Sequence, residues 1–311
     1  MSTPAPVSLL PREVGENLWL ARGGADARAE LARTKVHEIQ PEIIETEELV
    51  GRAMLEELEA AAQAKRGDLT IALLGGRGAQ AMHRLLGERA RAGDPDGLVS
   101  RLHLFTQDAL APMRVENGFS FVRDFERLLG MEFFQRVKSF TQMRTDAGDL
   151  QSEVTRYVQK LEAMGGLDIF FLGLGPEAGG ASHLAYIKPN SGATAVDVAG
   201  IIPVSSTILE HHIKKFKAGG SSFSREDETE CRRATHILTL GPAAILSARR
   251  IVQSIVDADT APAKRLSYRR VLETRISDDV ETRARQLDEN PGLWTRLHAN
   301  VRSLILPNVL S

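Results

Sequence analysis

Short apolar runs recur along the chain with longer amphipathic stretches between them. The runs are "LTIALL" (69–74), "LHLF" (102–105), "RVKSFT" (136–141), "LDIFFL" (167–172) and "HILTL" (236–240). Runs of this length carry too few residues for a helix, and little polar alternation. They read as strands buried on both faces, which alternation with helices assigns to a parallel sheet. The segment "TEELVGRAMLEELEAAAQAKRG" has apolar positions at helical spacing, Thr46 as a cap, acids at the next two positions and Gly67 as a stop. Further helices are predicted over "AQAMHRLLGERAR", "LQSEVTRYVQKLEAM" and "PAAILSARRIVQSIV".

Residues 1–35 do not fit this alternation and read as an N-terminal arm, which leaves 36–311 as one α/β domain. The stretch 217–230, "KAGGSSFSREDETE", reads as a solvated loop. The charged "KRLSYRRVLETRISDDVETRARQLDENPG" reads as an exposed helical segment.

Composition narrows the partners. With 39 Lys and Arg against 41 Asp and Glu, the formal charge is -2, so no global basic field favours nucleic acid or anionic lipid. Any anionic ligand must be met by local charges. Cys231 is the only cysteine, which rules out an internal disulfide and a cysteine-based metal cluster. No stretch approaches the roughly 18 apolar residues of a membrane helix, and no basic region precedes the short apolar stretch near residue 10. The expectation is a soluble, cytoplasmic protein without cofactor or metal.

In open parallel sheets, ligands gather beyond the carboxyl ends of the strands. The residues that follow each run therefore carry the candidate chemistry. After the first comes "GGRGAQAMHRLL", where Gly75, Gly76 and Gly78 would let the backbone approach an anion at the start of a helix. The same pattern is also a plain tight turn, and it lacks the Lys-Ser/Thr of a P-loop. After the second comes "TQDALAPM", with Asp108 as a proton acceptor or a turn former. After "LDIFFL" comes "GLGPEAGGASHLAYIKP", rich in glycine and carrying His183. The neighbours His211 and His212 point apart on any regular element, so they are not read as a metal pair.

Taken in order, "TIALLGGRGA", "RLHLFTQDALAP", "DIFFLGLGP", "HLAYIKP", "ILTLGPAAILSAR" and "PGLWTRLHANVRSLIL" resemble the glucosamine-6-phosphate deaminase and 6-phosphogluconolactonase superfamily, from about Val36 to Leu306. The resemblance implies a Rossmann-like three-layer α/β fold with a mostly parallel sheet, whose strand-end loops hold a sugar phosphate. It implies Asp108 as the base at the sugar's second carbon and His183 as the ring-opening group. The deaminase pattern His-x-Ala-aromatic-x-Glu-Pro keeps His183, Ala185, Tyr186 and Pro189 here.

Departures from the family bear on activity. Seven residues separate Gly175 from His183 where the family has three, and Lys188 replaces the glutamate that would orient the histidine. Glu177 is the acid that folding back of the longer loop would bring in its place. Ala109 stands where many relatives carry a second acid. Arg77 occupies the place of a Ser or Thr, where it either binds phosphate bidentately, fills the sugar pocket or points away. Lys264 falls at the family's phosphate lysine, and Lys215 is the nearest cation to a family arginine.

The expected function is a sugar-phosphate isomerase or deaminase acting on a phosphorylated (amino)sugar. The alternatives are a lactonase-type hydrolase and a non-catalytic sugar-phosphate sensor. The expected partner is a small sugar phosphate rather than nucleic acid or membrane, with a homo-oligomer left open.

Overall fold

The computed structural model describes residues 8–311. In chain order the elements are β1 (Leu9–Val14), β2 (Asn17–Arg22), α1 (Ala27–Arg33), β3 (Pro41–Ile43), α2 (Glu47–Ala64), β4 (Leu69–Leu73), α3 (Gln80–Arg91), β5 (Leu102–Thr106) and β6 (Asp108–Ala111). Then follow α4 (Phe121–Leu129), α5 (Met131–Arg136), β7 (Ser139–Thr141), α6 (Leu150–Ala163), β8 (Ile169–Leu172), β9 (Gly175–Pro176), β10 (Ser182–His183), β11 (Asp197–Pro203) and α7 (Ser206–Ala218). The chain continues with α8 (Arg225–Cys231), β12 (His236–Leu240), α9 (Pro242–Ser247), β13 (Arg250–Ile255), α10 (Ala263–Glu273), α11 (Val280–Glu289) and β14 (Val301–Ile305).

Seven strands form an all-parallel sheet in the order β3-β14-β13-β8-β4-β5-β7. Every residue of β4 and β8 is buried, as a sheet covered on both faces requires. Helices α2, α3, α4 and α5 pack on one another, while α6 and α9 lie against β11. The architecture is the three-layer α/β sandwich. Thr46 caps α2 through its hydroxyl, which accepts from Leu49 N at 3.2 Å.

A second, five-stranded antiparallel sheet runs β1-β2-β11-β12-β6. Its first two strands come from the segment expected to be an arm; residues 1–7 of that segment lie outside the described residues. Trp19 of β2 is fully buried, donates to Ser191 O at 2.9 Å and faces Gly200, where a Cβ would sit 2.6 Å from the indole. The hairpin is thus part of the packed structure.

Five expectations are corrected. The stretch read as one helix over 242–256 is the short helix α9 followed by β13, a central strand. "HILTL" is a strand, but in the antiparallel sheet. "RVKSFT" contributes a strand only at 139–141. The supposed loop at 217–230 contains most of α8, begun by a capping box between Ser224 and Asp227. The charged segment is two helices, and α10 buries Lys264, Ser267, Tyr268 and Val271.

Candidate functional site

The carboxyl ends of β4, β5, β8 and β13 open onto one cleft. At β4, Gly76 adopts φ +81°, and a Cβ there would lie 2.6 Å from Lys215 Cδ. Glycine therefore serves both the turn and the close approach of the lysine stem. Arg77 turns to the rim. Its Nε donates to Glu47 at 3.0 Å, and its Nη1 donates to Asp259 at 2.9 Å and to Thr260 Oγ1 at 3.3 Å.

Beyond β13, Asp257 meets Lys264. The ammonium donates to both carboxylate oxygens, at 2.7 and 2.8 Å, and both residues are buried. Burial alone would raise the Asp257 pKa, but the charge and hydrogen bonds of Lys264 outweigh it and hold the group below the usual range.

Beyond β5, Gln107 donates to Leu73 O at 3.1 Å, which ties this crossing to the end of β4. The next residue, Asp108, is buried, and its Oδ1 has no hydrogen-bond partner. Burial pushes its pKa up to about 7, against the opposing pull of Lys215. Lys215, on α7, is lowered by burial to about 8, with Asp108 opposing. Its Nζ lies 4.5 Å from the Phe121 ring centroid and 5.1 Å from that of Tyr186.

Beyond β8, the lengthened loop folds back on itself. Strands β9 and β10 pair Gly175 with His183 and Pro176 with Ser182, and Glu177 N donates to Ala181 O at 2.8 Å. This fold-back sets Glu177 Oε1 2.9 Å from His183 Nδ1. A carboxylate there accepts from Nδ1–H and leaves Nε2 as the free nitrogen. Burial lowers the His183 pKa, only partly offset by Glu177, so the ring is neutral at pH 7. Gly175 underlies the ring: a Cβ there would fall 1.7 Å from His183 Nε2. Lys188 faces elsewhere and donates to Pro203 O at 2.7 Å.

A tight turn follows. Leu184 and Ile187 bond each other's backbone, and between them Ala185 and Tyr186 have φ of +47° and +60°. Two non-glycine residues in this region cost about 1–3 kcal/mol each. What the turn gains is the placement of Tyr186. Its hydroxyl lies 2.7 Å from His212 Nδ1, and His212 Nε2 lies 2.7 Å from Phe119 O. A carbonyl can only accept, so Nε2 carries the proton, and the neutral ring, its pKa lowered to about 3 by burial, accepts from Tyr186 at Nδ1. The tyrosine oxygen then accepts from Lys215 Nζ at 3.1 Å.

This fold has counterparts. No family model matches the chain. A glucosamine-6-phosphate deaminase from Bacillus pumilus (strain SAFR-032) is 26% identical over 142 residues, 46% of this chain, so the chain spans about half (50%) of that curated relative. A monomeric glucosamine-6-phosphate deaminase structure matches with TM-score 0.63 at 20% identity, over 87% of this chain and 98% of that one. The 6-phosphogluconolactonase from Trypanosoma cruzi matches with TM-score 0.59 at 14% identity, over 89% and 97%. That from Shewanella baltica gives 0.57 at 13%, over 87% and 98%. The chain has the deaminase–lactonase fold.

Within that fold, the cleft brings together Asp108, His183, Lys215, Lys264 and the loop residues Gly75, Arg77 and Gly78. Glu177 reaches it through His183. Sequence reasoning missed Asp257, which belongs to the stretch following the misread β13, and Glu47 and Asp259, far from Arg77 in the chain. It also passed over His211, which lines the cleft with its ring 5.8 Å from that of His183, while His212 points into the core. His211, Lys215 and Asp257 also border an adjoining chamber of about 560 Å³ between α7 and residues 257–263. Among the described residues, no three His, Cys, Asp or Glu side chains are grouped to hold a metal ion, and no helix is long and apolar enough to cross a membrane.

Proposed function

We propose that this cleft opens a cyclic sugar and moves a proton between its first two carbons, as an isomerase or deaminase of a phosphorylated or otherwise anionic sugar. The observation that carries the reading is the Glu177–His183 contact of 2.9 Å. The lengthened loop supplies the acidic partner that Lys188 does not. Neutral His183, with Nδ1–H held by Glu177, would take the anomeric hydroxyl proton at Nε2 and deliver it to the ring oxygen as the bond from that oxygen to the first carbon breaks and the carbonyl forms. Asp108, buried with one oxygen unpartnered and its pKa near 7, would then take the proton from the second carbon and return it to the first. A base poised near the working pH suits this step.

A lactonase reading has one observation in its favour: the same neutral His183 could draw a proton from water attacking a sugar lactone. The two are separated by incubating the protein in D2O with hexose and hexosamine phosphates and sugar acids, and separately with sugar lactones. Deuterium appearing at the second carbon supports the proton-transfer reading. Lactone hydrolysis without exchange would replace it.

A further inference from the structure

Three cations surround the anion end of the cleft, and two of them are already matched. Arg77 is held by Glu47 and Asp259 on the rim. Lys264 is held by both oxygens of Asp257 in a pair that is buried on each side. Lys215 differs. Among the described residues no carboxylate lies within ion-pair distance of its ammonium, whose hydrogen bond goes to the Tyr186 hydroxyl and whose other neighbours are the aromatic faces of Phe121 and Tyr186. Its stem rests on Gly76, and it borders both the cleft and the chamber.

The cleft therefore offers, beside the glycine loop, one cation that no carboxylate touches among the described residues, the buried Asp108 acting on it only from a distance. A phosphate monoester brings a charge of about -1.5 to -2 at pH 7. To be balanced it would have to draw Lys264 or Arg77 away from a carboxylate, and an unpaired buried Asp257 is strongly unfavourable. A carboxylate brings a single charge and two acceptor oxygens, which Lys215 can meet while both existing pairs stay intact. The Lys264–Asp257 pair still has a spare N–H and free lone pairs, which suit sugar hydroxyls. We propose that the cleft selects a sugar acid, anchored by its one carboxylate on Lys215, over a sugar phosphate. The inference rests on the reading of this cleft as a sugar site and specifies its substrate class.

Titration calorimetry on the full chain, with glucuronate and with glucose 6-phosphate at matched pH and ionic strength, tests it. Glucuronate is expected to bind tenfold or more tightly than glucose 6-phosphate. Asp257→Asn, which frees Lys264, should strengthen glucose 6-phosphate binding by tenfold or more and leave glucuronate little changed. The double variant Glu47→Gln/Asp259→Asn makes the same test for Arg77, whose two carboxylate partners lie on the rim. Lys215→Met should remove glucuronate binding from a protein with an unaltered circular dichroism spectrum. Equal or tighter binding of glucose 6-phosphate by the unmodified chain, or binding of neither sugar, overturns the proposal. Deuterium exchange on the same samples separates it from the catalytic reading. Glucuronate bound without exchange sinks the chemistry and leaves the charge assignment, whereas exchange confined to the phosphate does the reverse.

Discussion

Glu177 and His183 are six positions apart in the chain and 2.9 Å apart in the folded protein, joined across a loop whose two short strands pair in register. The contact makes the histidine's tautomer a property of the loop. His183→Ala is expected to reduce turnover by about 100-fold or more while the fold persists. Glu177→Gln removes the charge that props up the His183 pKa, so the acidic limb that belongs to His183 should move to lower pH. The measurement is kcat/KM against pH for the unmodified protein and both variants.

Gly175→Ala tests the same ring from below. The added methyl would lie 1.7 Å from His183 Nε2, so the imidazole must move. Turnover is expected to fall by about 100-fold, comparable with loss of the histidine, and a crystal structure of the variant should show the ring displaced from Glu177.

Asp108 gives a stability prediction with a definite sign. Its pKa of about 7 in the fold lies above the ordinary 3.8, so the folded state binds the extra proton, and stability is lost as pH rises from about 4 through 7. Asp108→Asn abolishes that penalty. Its melting temperature should exceed that of the unmodified protein by at least about 2 °C at pH 8, with the difference shrinking at pH 4, while turnover is lost. For activity the dependence is opposite. A base must be ionised to act, so kcat/KM should rise through pH 7.

Trp19→Ala addresses the hairpin that precedes the parallel sheet. The indole is fully buried against Gly200 and bonded to Ser191, so its loss should cost about 3–5 kcal/mol. The denaturant midpoint reads this directly. A change within a few tenths of a kcal/mol would mean that the hairpin is only loosely attached.

Legibility in the sequence followed the range of the forces involved. Helix α2 was readable because its cap, its acids and its apolar stripe are all local. Strands β4, β5 and β8 were readable as short, mostly apolar runs. Strand β13 was not, since Ile251, Val252, Ile255 and Val256 repeat at a spacing that also suits a helix, and burial on both faces removes the alternation that would decide. "HILTL" could be read as a strand but not assigned a sheet, because partner choice is set by tertiary packing. In the cleft, Asp108 and His183 stood out by their place after strands. The loop's extra length was visible, but the pairing of β9 with β10 that sets Glu177 against His183 was not, because it depends on how the loop closes on itself. The carboxylates that occupy Arg77 left no local trace, since Glu47 and Asp259 lie 30 and 182 positions away.

The main-chain oxygen of Phe119 fixes the polarity of the Tyr186–His212 pair, because it can only receive a proton. Every hydrogen in that relay, as far as the face that Tyr186 turns to Lys215, is oriented from a loop outside the cleft. An alanine scan of the cleft would reach Tyr186 but neither His212 behind it nor the carbonyl that gives the pair direction. A chain that reshaped the turn before α4 could reverse the wiring with every cleft residue unchanged, so residue identity in the pocket is not by itself a record of its chemistry.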